Sequence, residues 1–179
     1  MRQHLFRFFA GFAVLAILGT GSALAQSNRH QIKADLTGFQ EPPAVSSTGH
    51  GDIRVRLQDA ALEFQLNYSD LEGEVLQAHI HLGQAGVNGG IMVFLCSNLG
   101  NGPAGTPVCP QSGTVTGTRI AADVVGPSGQ GIAAGEAGVF EEVLRALRSG
   151  NTYANVHTDK HTGGEIRGHL RTDNGRGPR

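Results

Sequence analysis

The stretch that decides the fold class reads IRVRLQDAALEFQLN and covers residues 53–67. Every second residue is apolar on either side of a short polar interruption, and the two apolar sets are Ile53, Val55 and Leu57, then Leu62, Phe64 and Leu66. Alternation with a period of two is typical of a β-strand that buries one face. Because Asp59-Ala60 leaves room for only a short connection, the stretch predicts an antiparallel hairpin.

Segments with strand character continue on both sides of this hairpin, at residues 32–36, 78–82, 91–95, 114–125, 152–158 and 165–170. One helix is predicted between them from the helical spacing of Phe140, Val143, Leu144 and Leu147, and Gly150 is placed to end it. We therefore expect an all-β, antiparallel β-sandwich of about eight strands, with Greek-key connections like those of immunoglobulin and superoxide dismutase domains. The short helix precedes the closing hairpin.

The first 25 residues have the pattern of a signal peptide. Arg2 and Arg7 precede an apolar run, and Ala23-Leu24-Ala25 matches a cleavage site. The run from Phe8 to Leu18 is shorter than the roughly 20 apolar residues of a membrane span. The expected organisation is a signal peptide at 1–25, one domain at 26–171 and a flexible tail at 172–179. The predicted location is secreted or periplasmic, with no membrane association after cleavage.

The net charge and the cysteine count narrow the kind of partner and the cellular compartment that we expect for this protein. Without Arg2 and Arg7, 12 basic residues stand against 15 acidic ones, a net charge of −3, which argues against a nucleic-acid partner. The two cysteines, Cys96 and Cys109, flank a segment rich in turn-forming residues. In an exported chain an even count predicts a disulfide. A pair of soft metal ligands is the alternative.

The segment Ala78-His79-Ile80-His81-Leu82 points to a metal site. On a strand, His79 and His81 share one face, opposite Ile80, so we expect the site on a polar face or at a sheet edge. His157 and His169 follow on the closing strands. The prediction is that His79, His81 and His157 bind copper or zinc, with His169 as a fourth ligand or a neighbour. The alternative is that these histidines are polar residues that hydrogen-bond the backbone.

Two further residues on the closing strands, Glu165 and Arg167, fall on one face of the predicted strand. Side chains at this spacing lie close enough to interact. We expect them to form a surface ion pair of little energetic weight.

Several segments in order resemble the CHRD domain family, named after chordin. They are Leu36-Thr37-Gly38-Phe39-Gln40-Glu41-Pro42-Pro43-Ala44-Val45, Ala78-His79-Ile80-His81-Leu82-Gly83, Gly150-Asn151-Thr152-Tyr153-Ala154-Asn155-Val156-His157-Thr158 and Gly163-Gly164-Glu165-Ile166-Arg167-Gly168. The resemblance spans about residues 32–171. It implies an all-β domain of exported bacterial and extracellular animal proteins, and it implies no particular reaction.

Two classes of function remain. The first is a non-catalytic, exported binding module for a protein, a glycan or a metal ion, with no catalytic residue assigned. The second is a mononuclear copper protein, either a copper carrier or a superoxide-dismutase-like oxidoreductase, because the His-x-His strand and a later histidine resemble the copper half of Cu/Zn superoxide dismutase. No histidine lies between His81 and His157, so a dinuclear site of that type is not expected.

Overall fold

The computed structural model describes residues 31–172, which form nine β-strands and one α-helix. The strands are β1 (Gln31–Thr37), β2 (His50–Leu57), β3 (Leu62–Ser69), β4 (Val75–Leu82), β5 (Ile91–Ser97), β6 (Gly113–Arg119), β7 (Thr152–Thr158), β8 (Ile166–His169) and β9 (Arg171–Thr172), and the helix is α1 (Val139–Ser149). The predicted signal peptide at 1–25 lies outside the described residues. So does the tail predicted at 172–179, except for Thr172, which belongs to β9. Within those residues, no helix is long and apolar enough to cross a membrane.

All strand pairs run antiparallel in one sheet, in the order β5-β4-β7-β8-β1-β2-β3-β6, with β9 added beside β1. The predicted hairpin is β2–β3, in which Val55 pairs with Phe64 and the Gln58 N–H donates to the Ala61 carbonyl at 2.8 Å. The expected all-β antiparallel class, with one short helix before the closing strands, is confirmed. The two packed layers come from a single sheet that curls until it is nearly closed.

The two terminal strands of the sheet, β5 and β6, approach each other where the sheet nearly closes. Arg119, the last residue of β6, donates from Nε to the Phe94 carbonyl at 2.6 Å and from Nη2 to the Leu95 carbonyl at 3.1 Å. Farther along β5, Val93 forms an isolated bridge with Val124. The strand predicted over 114–125 therefore ends at Arg119, because the chain turns there to run along β5.

The core lies inside the curled sheet, and α1 packs against it. The apolar residues that alternate along the strands, together with the apolar stripe of the helix, are buried: Ile53, Val55, Leu57, Leu62, Phe64, Leu66, Ile80, Val93, Leu95, Phe140, Leu144 and Ile166. Helix α1 buries one stripe and ends at Gly150, which adopts the left-handed conformation with φ of 70°. The helix prediction is confirmed.

Cys96 and Cys109 form the predicted disulfide, with their Cα atoms 5.1 Å apart. It joins β5 to the loop before β6. The Asn98 side chain supports that loop, since it donates to the carbonyls of Val75 and Cys109 and accepts from the Cys109 N–H. Because both thiols are used in this bond, the alternative of a cysteine metal site is wrong.

Strands β4 and β7 are buried on both faces, which sets the position of the site. Their inner residues, such as Ala78, Ile80 and Val156, belong to the core. Their outer residues are covered by three loops, at 38–49, 83–90 and 159–165, whose contacts are described below. A polar layer is thereby buried between the sheet and these loops.

Candidate metal centre

Three histidines meet on the outer face of the β4–β7 pair. In the register of this pair His79 lies opposite Asn155, and His157 lies opposite Gln77, two residues along from His79. Residues opposite each other in an antiparallel pair share a face. One ring nitrogen from each of His79, His81 and His157 can be chosen so that all three lie within 4.8 Å of one another.

These histidines are buried, with 0%, 6% and 8% of His79, His81 and His157 exposed. The predicted face is correct, since the histidines lie opposite the core residue Ile80. Of the two expected positions, a polar face and a sheet edge, the site occupies the polar face, since β4 lies between β5 and β7, and loops cover that face. The site is thus enclosed in the protein and held by two paired strands.

Backbone carbonyls fix two of the three imidazole rings. His81 Nδ1 lies 3.0 Å from the Gly89 carbonyl, and His157 Nδ1 lies 2.9 Å from the Thr162 carbonyl. A carbonyl can only accept, so in the neutral rings Nδ1 carries the hydrogen and Nε2 carries the lone pair. Both Nε2 atoms are therefore left as potential ligands, and His81 Nε2 has no hydrogen-bond partner.

His79 is the least satisfied of the three. Neither of its ring nitrogens has a hydrogen-bond partner. Its ring is in contact with Phe94 edge to face, at 4.4 Å between centroids, and lies 5.1 Å from the His157 ring. An unpaired buried polar group costs about 1–3 kcal/mol, and a neutral imidazole carries one N–H and one lone pair, so the lone pair of His79 is open to a hydrogen-bond donor or a cation.

Burial keeps all three imidazoles neutral. Desolvation, together with repulsion from His157 and His81, lowers the pKa of His79 from 6.5 to about 2. Desolvation also lowers the pKa of His81 to about 4, against a raising effect of the Gly89 hydrogen bond. Desolvation lowers the pKa of His157 as well. Neutral imidazole is the form that binds metal ions.

An aromatic and cationic layer supports the histidines. The Tyr153 ring stacks on His81, with 4.7 Å between centroids and 5° between planes. The Arg167 guanidinium lies 3.3 Å above the Tyr153 centroid and donates to the Val87 carbonyl at 2.7 Å and to Asn88 Oδ1 at 3.1 Å. The loop at 83–90 is thereby tied to the site.

The surface ion pair expected between Glu165 and Arg167 is wrong, because both side chains are buried and have other partners. The Glu165 carboxylate accepts from Ser47 Oγ at 2.6 Å, Thr158 Oγ1 at 2.7 Å and the Glu72 N–H at 2.7 Å. Although burial opposes it, these hydrogen bonds leave the Glu165 pKa below its ordinary value. Glu165 therefore fixes the hairpin turn that covers His157.

His169 lies apart from the three histidines. It pairs with Tyr153 in the β7–β8 register, at the opposite end of β7 from His157. The group of close ligand nitrogens within residues 31–172 contains His79, His81 and His157 and does not include His169. The sequence placed His169 on the right strand, but it did not define how far β8 is shifted along β7.

Two residues of this site were not assigned from the sequence, Asn155 and Glu41. Asn155 Oδ1 lies 3.0 Å from His157 Nε2. Glu41 is 6% exposed, and its Oε1 has no hydrogen-bond partner. Asn155 lies two residues before His157, so alternation along β7 is a signal that places both on one face, whereas Glu41 lies in a loop whose path has no periodic signal.

Among the comparisons with known proteins, the comparison with protein-family models gives a match. The model of the CHRD domain matches residues 32–170. Comparison with curated proteins gives no significant match, and comparison with solved structures gives none either. The match covers all three histidines of the site.

Proposed function

This chain belongs to the CHRD domain family, and from that premise we propose that it is an exported, non-catalytic binding module whose ligand is a copper or zinc ion held by His79, His81 and His157. The proposed location is secreted or periplasmic. The Cys96–Cys109 disulfide supports this location, because such bonds form and persist in oxidising compartments.

The observation that carries the proposal is the convergence of three buried, neutral imidazoles on one point. Histidines that bind metals usually donate their second ring N–H to a carbonyl or carboxylate, and His81 and His157 have this arrangement. Three nitrogens bound to one Zn²⁺ at about 2.0–2.1 Å lie roughly 3.4 Å apart. The nitrogens within 4.8 Å of each other need shifts of only about an ångström to reach this geometry.

A mononuclear copper carrier or oxidoreductase remains the second candidate. Three protein ligands leave a coordination position open, as in catalytic metal sites. The group found in the described part of the chain has three histidines, which favours this candidate over a closed structural site.

Metal titration tests the proposal. The apo-protein is titrated with Cu(I), Cu(II) and Zn(II) by calorimetry, together with His81→Ala and the control variant His50→Ala. His50 is an exposed histidine at the start of β2, so its loss should leave binding unchanged. We expect one ion per chain for the wild type and a loss of at least about tenfold in affinity for His81→Ala.

Equal binding by the wild type and His81→Ala, or no stoichiometric binding, would refute the metal proposal and leave a protein or glycan ligand. Redox assays on the copper-loaded protein separate the two candidates. Turnover of superoxide that is lost in His81→Ala and retained in His50→Ala would establish the oxidoreductase, whereas stoichiometric binding without turnover supports the binding module.

A further inference from the structure

Glu41 places a buried carboxyl group beside the histidine site. It follows a short 3₁₀ helix (Gly38–Gln40), and its N–H donates to the Gly38 carbonyl at 3.1 Å. The chain leaves room for the carboxyl at Gly164, where an added Cβ would lie 2.1 Å from Glu41 Oε1 and 2.9 Å from Asn155 Nδ2. Gly164 has φ of 126°, so a glycine is required there for its backbone as well.

Asn155 connects this carboxyl group to the histidines. Its Nδ2 lies near Glu41 Oε1, and its Oδ1 lies 3.0 Å from His157 Nε2. The Asn155 amide therefore lies between the Glu41 carboxyl and His157 Nε2.

The ionisable groups that act on Glu41 are Arg167 on β8 and Tyr153 on β7. Arg167 is the positive charge that acts on both Glu41 and His81. Without a carboxylate, a metal ion would enter a buried site with three neutral imidazoles and one cation, which is unfavourable in a low dielectric.

We propose that Glu41 is the charge-balancing residue of the histidine site and that it sets a preference for a divalent ion over a monovalent one. This inference rests on the proposed metal binding and deepens it. The cost of burying an ion rises steeply with its charge, so Zn²⁺ depends on a nearby carboxylate more than Cu⁺ does. Glu41 acts on the ion through the field of its carboxylate, without being one of the three nitrogen ligands.

The proton balance of binding follows from this assignment. Burial raises the pKa of Glu41 from 4.5 to about 7, against the lowering effects of Arg167 and Asn155, so near neutral pH part of the population is the neutral acid. An incoming divalent ion favours the carboxylate, and the Glu41 proton leaves to solvent. His81 and His157 hold their Nδ1 hydrogens on backbone carbonyls and can bind the ion through Nε2 without losing a proton.

The test compares Glu41→Gln with the wild type, and Glu141→Gln on the exposed side of α1 is the matched control. Affinities for Zn(II) and, under anaerobic conditions, Cu(I) are measured by competition with chelators. Glu41→Gln should lose about 10- to 100-fold in Zn(II) affinity and less than about threefold in Cu(I) affinity. Calorimetry at pH 7 in buffers of different ionisation enthalpy should show about half a proton released per Zn(II), and none in Glu41→Gln.

A second measurement needs only the wild type, in case Glu41→Gln fails to fold. Proton release on Zn(II) binding should fall from nearly one at pH 6 to nearly zero at pH 8. Equal losses for both ions in Glu41→Gln, or proton release that is constant between pH 6 and 8, would overturn the role of Glu41 and leave the metal proposal standing. Absence of metal binding by the wild type would overturn the proposed function itself.

Discussion

Replacement of Arg119 by Met should destabilise the fold, because this side chain joins the two ends of the curled sheet. Arg119 donates two hydrogen bonds to carbonyls of β5 and lies 5.2 Å from the centre of the Phe64 ring. Met fills much of the same volume but donates no hydrogen bond. The Phe94 and Leu95 carbonyls would lose their charged donor in a buried position.

The magnitude follows from the two bonds. Hydrogen bonds to charged groups contribute about 1.5–3 kcal/mol each, so the two together contribute roughly 3–6 kcal/mol. Part of this loss is offset, because burial disfavours the charged guanidinium and lowers the Arg119 pKa. We expect the free energy of unfolding to fall by about 2–4 kcal/mol.

Urea denaturation followed by circular dichroism measures this change. With a slope of about 2 kcal/mol per molar urea, the midpoint should fall by roughly 1–2 M. Arg54→Met is the matched control, since Arg54 is exposed on β2 and its change should stay within about 0.5 kcal/mol. If the two variants unfold at the same urea concentration, the closure of the sheet by Arg119 contributes nothing to stability and the reasoning is wrong.

Two further predictions concern the disulfide and the response to acid. Reduction of the Cys96–Cys109 bond, which closes a separation of 13 residues, should lower the free energy of unfolding by about 3 kcal/mol. Denaturation with and without reductant measures this difference, and an unchanged free energy would contradict the prediction. Burial holds the pKa of His79 at about 2 and of His81 at about 4, so below the ordinary value of about 6.5 the unfolded chain binds more protons than the folded one. In the presence of a chelator, the contribution of these histidines to the free energy of unfolding should therefore be fully present above pH ~6.5 and should decline as the pH falls towards ~4. The raised pKa of Glu41 opposes this trend, but it involves one proton against two. A free energy of unfolding that stays constant or rises as the pH falls from 6.5 to 4 would contradict the prediction.

The strands and their faces could be predicted because alternation is a local signal. The same period that placed Val55 and Phe64 in the core placed His79 and His81 together on the other face. The disulfide followed from the even cysteine count and the turn-rich segment between the two positions.

The long-range neighbours could not be predicted in this way. The pairing of β4 with β7, which brings His157 to His79, joins strands separated by some 70 residues, and nothing in the sequence pattern specifies it. The register that takes His169 away from the group has no local signal either. The burial of the site depends on loop paths, which is why Glu41 was missed and Arg167 was assigned to the surface.

Strand β5 has a composition that favours self-association. Ile91-Met92-Val93-Phe94-Leu95-Cys96 is an uncharged apolar run of high β-propensity, the kind of segment that forms intermolecular sheets when its edge is free. In the folded chain that edge is occupied, since the Met92 carbonyl accepts from the Val125 N–H and the Ser97 N–H donates to the Pro107 carbonyl, on either side of the two bonds from Arg119. Loss of Arg119 would therefore expose an aggregation-prone strand edge. In cells the variant should become insoluble even while most of its molecules are still folded.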